Sequence, residues 1–171
     1  AKLHEIKILT DLKNYLEIDP FDLEMETLYA NYLLRLGELK LALDIYLKHQ
    51  LKYPNDLFVN YNLGICFYAI ATKQSKEEIS YQNEILKPSI ALNLSENLLK
   101  QTLNQGDSLN APLYLGKIKQ AKTEMDSAIY YFRLRVRAKQ SETDPYYLQA
   151  TKALRQIFEN DTVLFKKYLI T

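Results

Sequence analysis

A spacing of 34 residues constrains the fold of this chain more than any other feature of its sequence. Pro20 and Pro54 lie 34 residues apart, and so do Ala30 and Gly64. Two apolar-periodic segments run between the two prolines and are separated near Gly37. Repeats of about 34 residues with two helices each are typical of helix–turn–helix solenoids, in which each repeat buries its apolar face against its neighbours. We therefore predict an all-α solenoid.

The composition agrees with an all-helical chain. Hydrophobic residues make up 47% of the 171 residues, enough for a sizeable core, and only four Gly and five Pro interrupt them. No apolar run approaches the roughly 18 residues of a membrane span, so we predict no membrane insertion. The net charge of +1 gives no sign of a nucleic-acid partner. The charge is mildly asymmetric, with 7 basic and 10 acidic residues in 1–72 against 15 and 11 in 73–171.

The repeat divides the chain into segments of one predicted domain, 1–171. Apolar residues at helical spacing precede Pro20, namely Leu3, Ile6, Leu9, Leu12 and Leu16. This first helix takes the place of the second helix of a preceding repeat, either because an earlier part has been removed or because it serves as a cap. The predicted segments are a half repeat (2–20), a repeat (21–54), an expanded repeat (55–106), a further repeat (107–141) and capping helices (144–170).

The expanded repeat contains about 18 additional residues. Gly116 follows Gly64 after 52 residues, and Phe132 follows Tyr46 after 86, so each interval exceeds a multiple of 34 by 18. The extra residues fall at about 73–92, between the two helices of the repeat. We predict helix extensions with a loop or short helix there, and no sheet anywhere in the chain.

Two sites look like helix starts. Asp22 is positioned to cap the helix that follows Pro20, with Glu24 and Glu26 near the positive end of its dipole. An acidic cluster of this kind also allows a metal or acid–base site, but capping and solvation are the simpler interpretation. Thr123-x-x-Asp126 resembles a capping box.

Specific residues in the repeat carry a family resemblance. Tyr29-Ala30-x-x-Leu33, Ala42-x-x-x-Tyr46 and Pro54 in one repeat, and Leu63-Gly64-x-x-Phe67 in the next, resemble the tetratricopeptide (TPR) repeat from Pro20 to Gln140. The small residues allow the helices to approach closely, and Gly64 in particular predicts a tight helix crossing. The family fold implied is a right-handed solenoid of about three helix pairs.

The sequence departs from the TPR pattern at several positions. The aromatic residue expected early in the first helix is replaced by Glu26, Asn60 and Pro112. His49 and Arg135 stand where a small residue is usual in the second helix. Lys119 replaces the aromatic residue that appears as Phe67 in the second repeat. These departures loosen the packing rules of the family near the third repeat.

The TPR resemblance implies protein–protein recognition, in which the first helices line a concave groove for a peptide or helical segment. Matching positions give this partner-binding set: Thr27, Asn31, Arg35, Phe58, Tyr61, Asn62, Tyr68, Tyr114 and Lys117. We expect the side chains of Asn31, Tyr61, Asn62 and Tyr68 to be partly exposed. The rings of Phe58, Tyr61, Tyr68 and Tyr114 suit an apolar or aromatic segment, because tyrosine gives contact area with few rotors to immobilise. The alternative is that several of these rings only pack between helices and contact no partner.

One TPR subclass holds the C-terminal carboxylate of heat-shock chaperones. Asn31 and Asn62 match its amide positions, but Thr27, Asn110 and Tyr114 stand where it has basic residues. Two amides without cations do not neutralise a carboxylate. We therefore predict a different specificity.

The sequence contains no constellation typical of catalysis, so we predict no enzymatic activity, no cofactor and no metal. Cys66 lies in an apolar helix interior, which indicates a structural thiol. His4 and His49 lack companion ligands at metal spacing. The four glycines are isolated, which excludes a phosphate-cradling loop. The basic run from Arg133 to Lys139 is interpreted as a solvated face, with contact to an acidic partner as the alternative.

The main functional hypothesis is an interaction module that scaffolds an assembly. A small secretion chaperone built from such repeats is a close variant. A regulatory or positioning domain of a larger enzyme is the rival from another class. The partner, the oligomeric state and the compartment, cytoplasmic or periplasmic, stay open at this point.

Overall fold

The computed structural model describes residues 2–73, 78–106, 110–138, 141 and 143–169. This part of the chain forms nine α-helices and one short β-hairpin, and it has the all-α, repeat-like fold that the sequence predicts. The elements are α1 (Lys2–Ile18), α2 (Leu23–Leu36), α3 (Leu39–Lys52), α4 (Leu57–Thr72), β1 (Ser80–Tyr81), β2 (Glu84–Ile85), α5 (Pro88–Asn104), α6 (Ala111–Ala121), α7 (Met125–Arg137), α8 (Pro145–Asn160) and α9 (Thr162–Leu169). None of the described helices is both long and apolar enough to cross a bilayer.

The chain divides into two compact units, Ala1–Gln101 (unit 1) and Thr102–Thr171 (unit 2), and the division falls within α5. In unit 1 the helices α1, α2, α3 and α4 pack in sequence order, each against its neighbour. In unit 2 the same holds for α6 to α9. The sequential helix packing expected of a repeat array is therefore present within each unit.

Side-chain caps fix the starts of α2 and α4 in unit 1. The Asp22 carboxylate accepts a hydrogen bond of 3.0 Å from the backbone N–H of Met25, which confirms the predicted cap of α2. Asp56 caps α4 in the same way through the N–H of Val59, at 2.9 Å. Gly37 ends α2 with φ +91°, a left-handed conformation that glycine adopts without steric cost.

The core of unit 1 lies between α2, α3 and α4. Ala30 and Ala42 have no exposed surface, so the backbones of α2 and α3 approach closely. Leu43 and Tyr46 of α3 and Phe67 of α4 are equally buried and belong to the same apolar cluster. The small and large residues that carry the TPR resemblance are thus the packing residues of this unit.

Of the extra residues, 80–85 form a β-hairpin between α4 and α5, and α5 begins at Pro88. The prediction of helical structure without a sheet is therefore wrong at 80–85, and residues 74–77 lie outside the described part. Ser80 pairs with Ile85 and Tyr81 with Glu84. Gln82 and Asn83 connect the strands with φ of 52° and 66°, as in the two-residue turns that match the twist of a hairpin.

The hairpin is held by the core of unit 1. Ile79 and Leu86, which flank the strands, are buried, and the N–H of Leu86 donates to the carbonyl of Ile79 at 2.8 Å. The ring of Tyr81 meets the ring of Phe67 edge to face, with centroids 5.3 Å apart. The segment therefore covers α4 where the second helix of a regular repeat would begin.

Gly64 marks a close contact between α4 and α5, as predicted. A Cβ placed on Gly64 would lie 3.0 Å from Cγ of Leu99. The Ser95 hydroxyl donates a hydrogen bond of 2.7 Å to the Gly64 carbonyl, and this bond is buried. The absence of a side chain at Gly64 is what permits this approach.

Unit 2 is built around the contact of α6 with α7. A Cβ on Gly116 would lie only 2.6 Å from the buried ring of Phe132. The capping box predicted at Thr123-x-x-Asp126 is wrong, because α7 begins after Glu124 with no side-chain cap. Thr123 has φ 62° and bonds its neighbour's carbonyl, while the Asp126 carboxylate accepts hydrogen bonds from α9.

A buried ionic network joins α7 to α8. Arg135 is 1% exposed and forms an ion pair with Asp144, which caps α8. Arg135 also donates through Nε to Asn110 Oδ1 at 3.1 Å and through Nη1 to the Ala138 carbonyl at 3.3 Å. The prediction of a solvated basic face is wrong for Arg135, since a two-residue step turns it to the opposite side of the helix from Arg133 and Arg137. Lys139 lies outside the described residues.

Candidate protein-binding surface

Between Phe58 and Ile70 of α4, only one narrow band of apolar and aromatic side chains reaches solvent. Phe58, Tyr61, Ile65 and Tyr68 (the α4 stripe) follow one another at spacings of three, four and three, so they share one helical face. Phe58 is 51% exposed and the other three are half-buried. Burial raises the pKa of the Tyr68 hydroxyl, so this ring stays neutral at neutral pH. The predicted partial exposure of Tyr61 and Tyr68 is confirmed.

Asn62 does not belong to this stripe, and its predicted exposure is wrong. Its side chain is 5% exposed, and Nδ2 donates to the Phe58 carbonyl at 2.8 Å. One residue beyond Tyr61 is a rotation of about 100° around the helix, which carries Asn62 to the packed side with Val59 and Leu63. Its amide is used within α4 and is not presented to a partner.

Asn31 presents a fixed amide on α2. It is half-buried, as predicted, and its Oδ1 accepts a hydrogen bond of 2.7 Å from the hydroxyl of the buried Tyr46. The amide group is planar, so this bond directs Nδ2 away from Tyr46. No described residue accepts from Nδ2. The side chain therefore offers two N–H donors in a defined orientation.

Arg35 is exposed at the end of α2, where its guanidinium lies 2.6 Å from Glu5 of α1 and 5.3 Å from the ring centre of Tyr32. These two contacts hold the side chain against unit 1 but leave most of it in solvent. Exposed pairs of this kind contribute little stability. Arg35 thus remains accessible at the position predicted for it.

Thr27 is not available to a partner, contrary to the predicted site, because it is 2% exposed. Its hydroxyl donates to the Leu23 carbonyl at 2.7 Å and lies 3.5 Å from Nδ1 of the buried His49. The other ring nitrogen, Nε2, lies 2.8 Å from Glu26 Oε2. The bulky imidazole at position 49 reaches into this space and encloses Thr27.

Glu26 carries the charge of that cluster. Burial raises the pKa of Glu26, but hydrogen bonds from Lys48, at 2.7 Å, and from His49 outweigh it and leave the pKa below its ordinary value. A carboxylate that accepts two such bonds is ionised at neutral pH. Glu26 thus has a structural role, because it provides the hydrogen-bond partner of a buried imidazole.

The stripe on α4 and the exposed face of α2 belong to the same unit. Both helices pack against α3. The ammonium of Lys73, directly after α4, donates to the Leu34 carbonyl near the end of α2 at 2.7 Å. The C-terminal ends of the two helices are therefore neighbours.

Tyr114 and Lys117, the last two predicted site residues, lie on α6 in unit 2 and are half-buried. The ammonium of Lys117 is 5.3 Å from the ring centre of Tyr114 and donates a hydrogen bond of 2.8 Å to Oε1 of Gln149 on α8. Removal from water lowers the pKa of Lys117. Gln149 was not predicted, because the sequence assigned α8 only a capping role.

Cys66 is enclosed in the core of unit 1, and burial raises the pKa of its thiol far above neutrality. Among the described residues no group of three or more His, Cys, Asp or Glu side chains is arranged to hold a metal ion.

Comparison with known proteins gives no assignment. No protein-family model matches the chain. A search of curated proteins also returns no match.

Proposed function

We propose that this chain is a TPR-like protein–protein interaction module that binds a peptide or helical segment of a partner and so helps to scaffold an assembly. The observation that carries the proposal is the α4 stripe. The residues of α4 that flank this stripe are buried, from Val59 to Ile70, whereas Phe58, Tyr61, Ile65 and Tyr68 retain solvent contact. An aromatic row on an otherwise enclosed helix is costly to hydrate and suited to a partner.

The chemistry of the row favours a protein segment as the ligand. Aromatic side chains are enriched at the energetic centres of protein interfaces, because they bury much area and lose few rotors. The amide of Asn31, oriented by Tyr46, adds donors for a backbone carbonyl of the bound segment. Such backbone contacts give affinity without requiring one particular sequence.

Selection from a random peptide library displayed on phage tests the proposal. Peptides enriched on the native protein are expected to shift the amide NMR signals of α4 and to lose most of their affinity for the double variant Tyr61→Ala, Tyr68→Ala. Tyr130→Ala is the matched control, since Tyr130 is 61% exposed on α7. Thermal melts must show that the double variant is folded.

Two results would contradict the proposal. One is that no peptide is enriched over a blank surface. The other is that enriched peptides bind the folded double variant as well as they bind the native protein, which would place their site elsewhere.

A further inference from the structure

Lys117 differs from Lys119 and Arg135, the two cations of unit 2 that are buried in the described part of the chain, in what neutralises it. Lys119 pairs with Glu124 at 2.6 Å, and Arg135 pairs with Asp144. Among the described residues, no carboxylate lies within ion-pair distance of Lys117. Because a charge withdrawn from water normally has a counter-charge, the surroundings of Lys117 are incomplete.

Gln149, the hydrogen-bond partner of Lys117, keeps N–H donors that face away from the ammonium. Since an ammonium has no acceptor, its contact with Gln149 must use the amide oxygen, which leaves the two N–H donors of Gln149 facing away. The ring of Tyr114 covers another side of the ammonium. Within the described chain no residue accepts from the Gln149 amide nitrogen.

A second cation adjoins this position. Lys152 is exposed, lies three residues after Gln149 and so occupies the same face of α8. It has no ion pair with any described residue. The unit as a whole is basic, with 11 Lys and Arg against 7 Asp and Glu in 102–171.

We infer that Lys117 and Gln149, with Lys152 beside them, bind the carboxylate side chains of an acidic segment in a partner protein. A carboxylate accepts from an ammonium and an amide at once, and charge-assisted bonds of this kind are the strong ones. Lys152 lies about one helical turn along α8, so a second acidic side chain of the same segment reaches it. This inference rests on the proposed function and adds an acidic segment to what the partner protein presents.

The test uses an acetylated and amidated hexaglutamate peptide as the probe, and the corresponding hexaglutamine peptide as its uncharged counterpart. The hexaglutamate peptide is expected to bind the full chain, to bind more weakly as salt is raised, and to raise the pKa of Lys117, followed by NMR at its ε-carbon. The hexaglutamine peptide is expected to bind at least about tenfold more weakly. A hexaglutamine peptide with a free C-terminus that binds as tightly as hexaglutamate would overturn the assignment to side chains.

Two variants locate the site. Lys117→Met is expected to weaken hexaglutamate binding about tenfold, while Lys166→Met, the same change at an exposed lysine of α9, leaves it nearly unchanged. Gln149→Glu supplies a carboxylate from within the chain, so it is expected to raise the pKa of Lys117 and to exclude the peptide. Equal binding to the native protein, Lys117→Met and Gln149→Glu would refute the inference.

The outcome is independent of the test of the proposed function. If the α4 stripe captures library peptides but Lys117→Met leaves hexaglutamate binding intact, the interaction module stands and the acidic specificity is wrong. If no library peptide depends on the α4 stripe, the proposed function fails whatever the result at Lys117.

Discussion

Gly116→Ala tests the packing of α6 on α7 with the smallest available change. The added Cβ would lie 2.6 Å from Cδ1 and Cε1 of Phe132 and 3.0 Å from its Cγ. Contacts below 3.0 Å are essentially absent from real structures, so the ring or a helix must move. Phe132 has no exposed surface and lies in the core of unit 2, where a rigid ring has no room to retreat.

Two opposing terms set the magnitude. Overpacking a well-packed core costs ~1–3 kcal/mol, and a clash with three atoms of a buried ring belongs near the upper end. Alanine gains about 1 kcal/mol over glycine in a helix interior. We therefore expect Gly116→Ala to lower the free energy of unfolding by about 2 kcal/mol.

Urea unfolding followed by circular dichroism measures the change, with Gly64→Ala as the control. A Cβ on Gly64 would meet Cγ and Cδ2 of Leu99 at 3.0 and 3.2 Å, and a leucine side chain adjusts more readily than a ring. For Gly64→Ala we expect the free energy of unfolding to change little, because the higher helix propensity of alanine offsets the cost of the tighter contact with Leu99. The double variant Gly116→Ala, Phe132→Leu should be more stable than the sum of its single changes predicts.

The reasoning fails if Gly116→Ala is as stable as the native protein. It also fails if the double variant shows no coupling, because the cost would then not come from the ring.

Three further predictions concern buried polar groups. Arg135→Met leaves Asp144 buried without its cation, so urea titration should show that the free energy of unfolding falls by about 3–5 kcal/mol. Adding Asp144→Asn should restore part of this free energy. An unchanged unfolding midpoint would contradict a stabilising ion pair. Folding lowers the pKa of Glu26, so the ionised carboxylate stabilises the folded state above its unfolded pKa of about 4.3, and this stabilisation is lost as the pH falls through the lower, folded pKa. Thermal melts should therefore show that the Glu26→Gln variant loses less stability than the native protein between pH 5 and 3. Tyr46→Phe removes the bond to Asn31 and should lower the unfolding free energy by about 1 kcal/mol; no loss would show that water replaces it.

Several helix boundaries follow from local chemistry and were predictable, although the start of α7 was not. Pro88 opens α5 and Pro145 opens α8, because proline at a first helical position loses no hydrogen bond. Gly37 ends α2 where the repeat requires a turn. These signals lie within a few residues of the feature they fix, so one sequence suffices to recognise them.

The hairpin at 80–85 was not predictable from the same signals. Its loop lacks the glycine that usually marks such turns, and Gln82 adopts a positive φ that its residue type does not favour. Ile79 and Leu86 are placed in the core of unit 1 by tertiary packing. The spacing between repeats located the insertion, but its structure depends on contacts far along the chain.

The exposure of the predicted site residues could be predicted only in part. Phe58, Tyr61 and Tyr68 were assigned to the groove from their match to family positions, and their spacing on α4 places them on one face that reaches solvent. Asn62 was assigned to that face from its match to a family position, yet a rotation of 100° per residue separates it from Tyr61. The contact of Gln149 with Lys117 could not be predicted from the sequence, because it depends on the packing of α8 beside α6.

The two departures from the repeat pattern in the second helices have a common physical resolution. His49 and Arg135 are 86 residues apart, at equivalent positions where the pattern has a small residue, and both are buried. A buried polar group of this size is tolerated only if it is hydrogen-bonded, and each one contacts a carboxylate. Glu26 comes from the preceding helix of the same repeat, whereas Asp144 comes from the cap of the next helix. Glu26 itself stands where the repeat pattern has an aromatic residue. The two departures from the pattern, at Glu26 and at His49, therefore form one contact with each other. For Arg135 the carboxylate lies beyond the repeat, so the pair ties α7 to the helix that follows it.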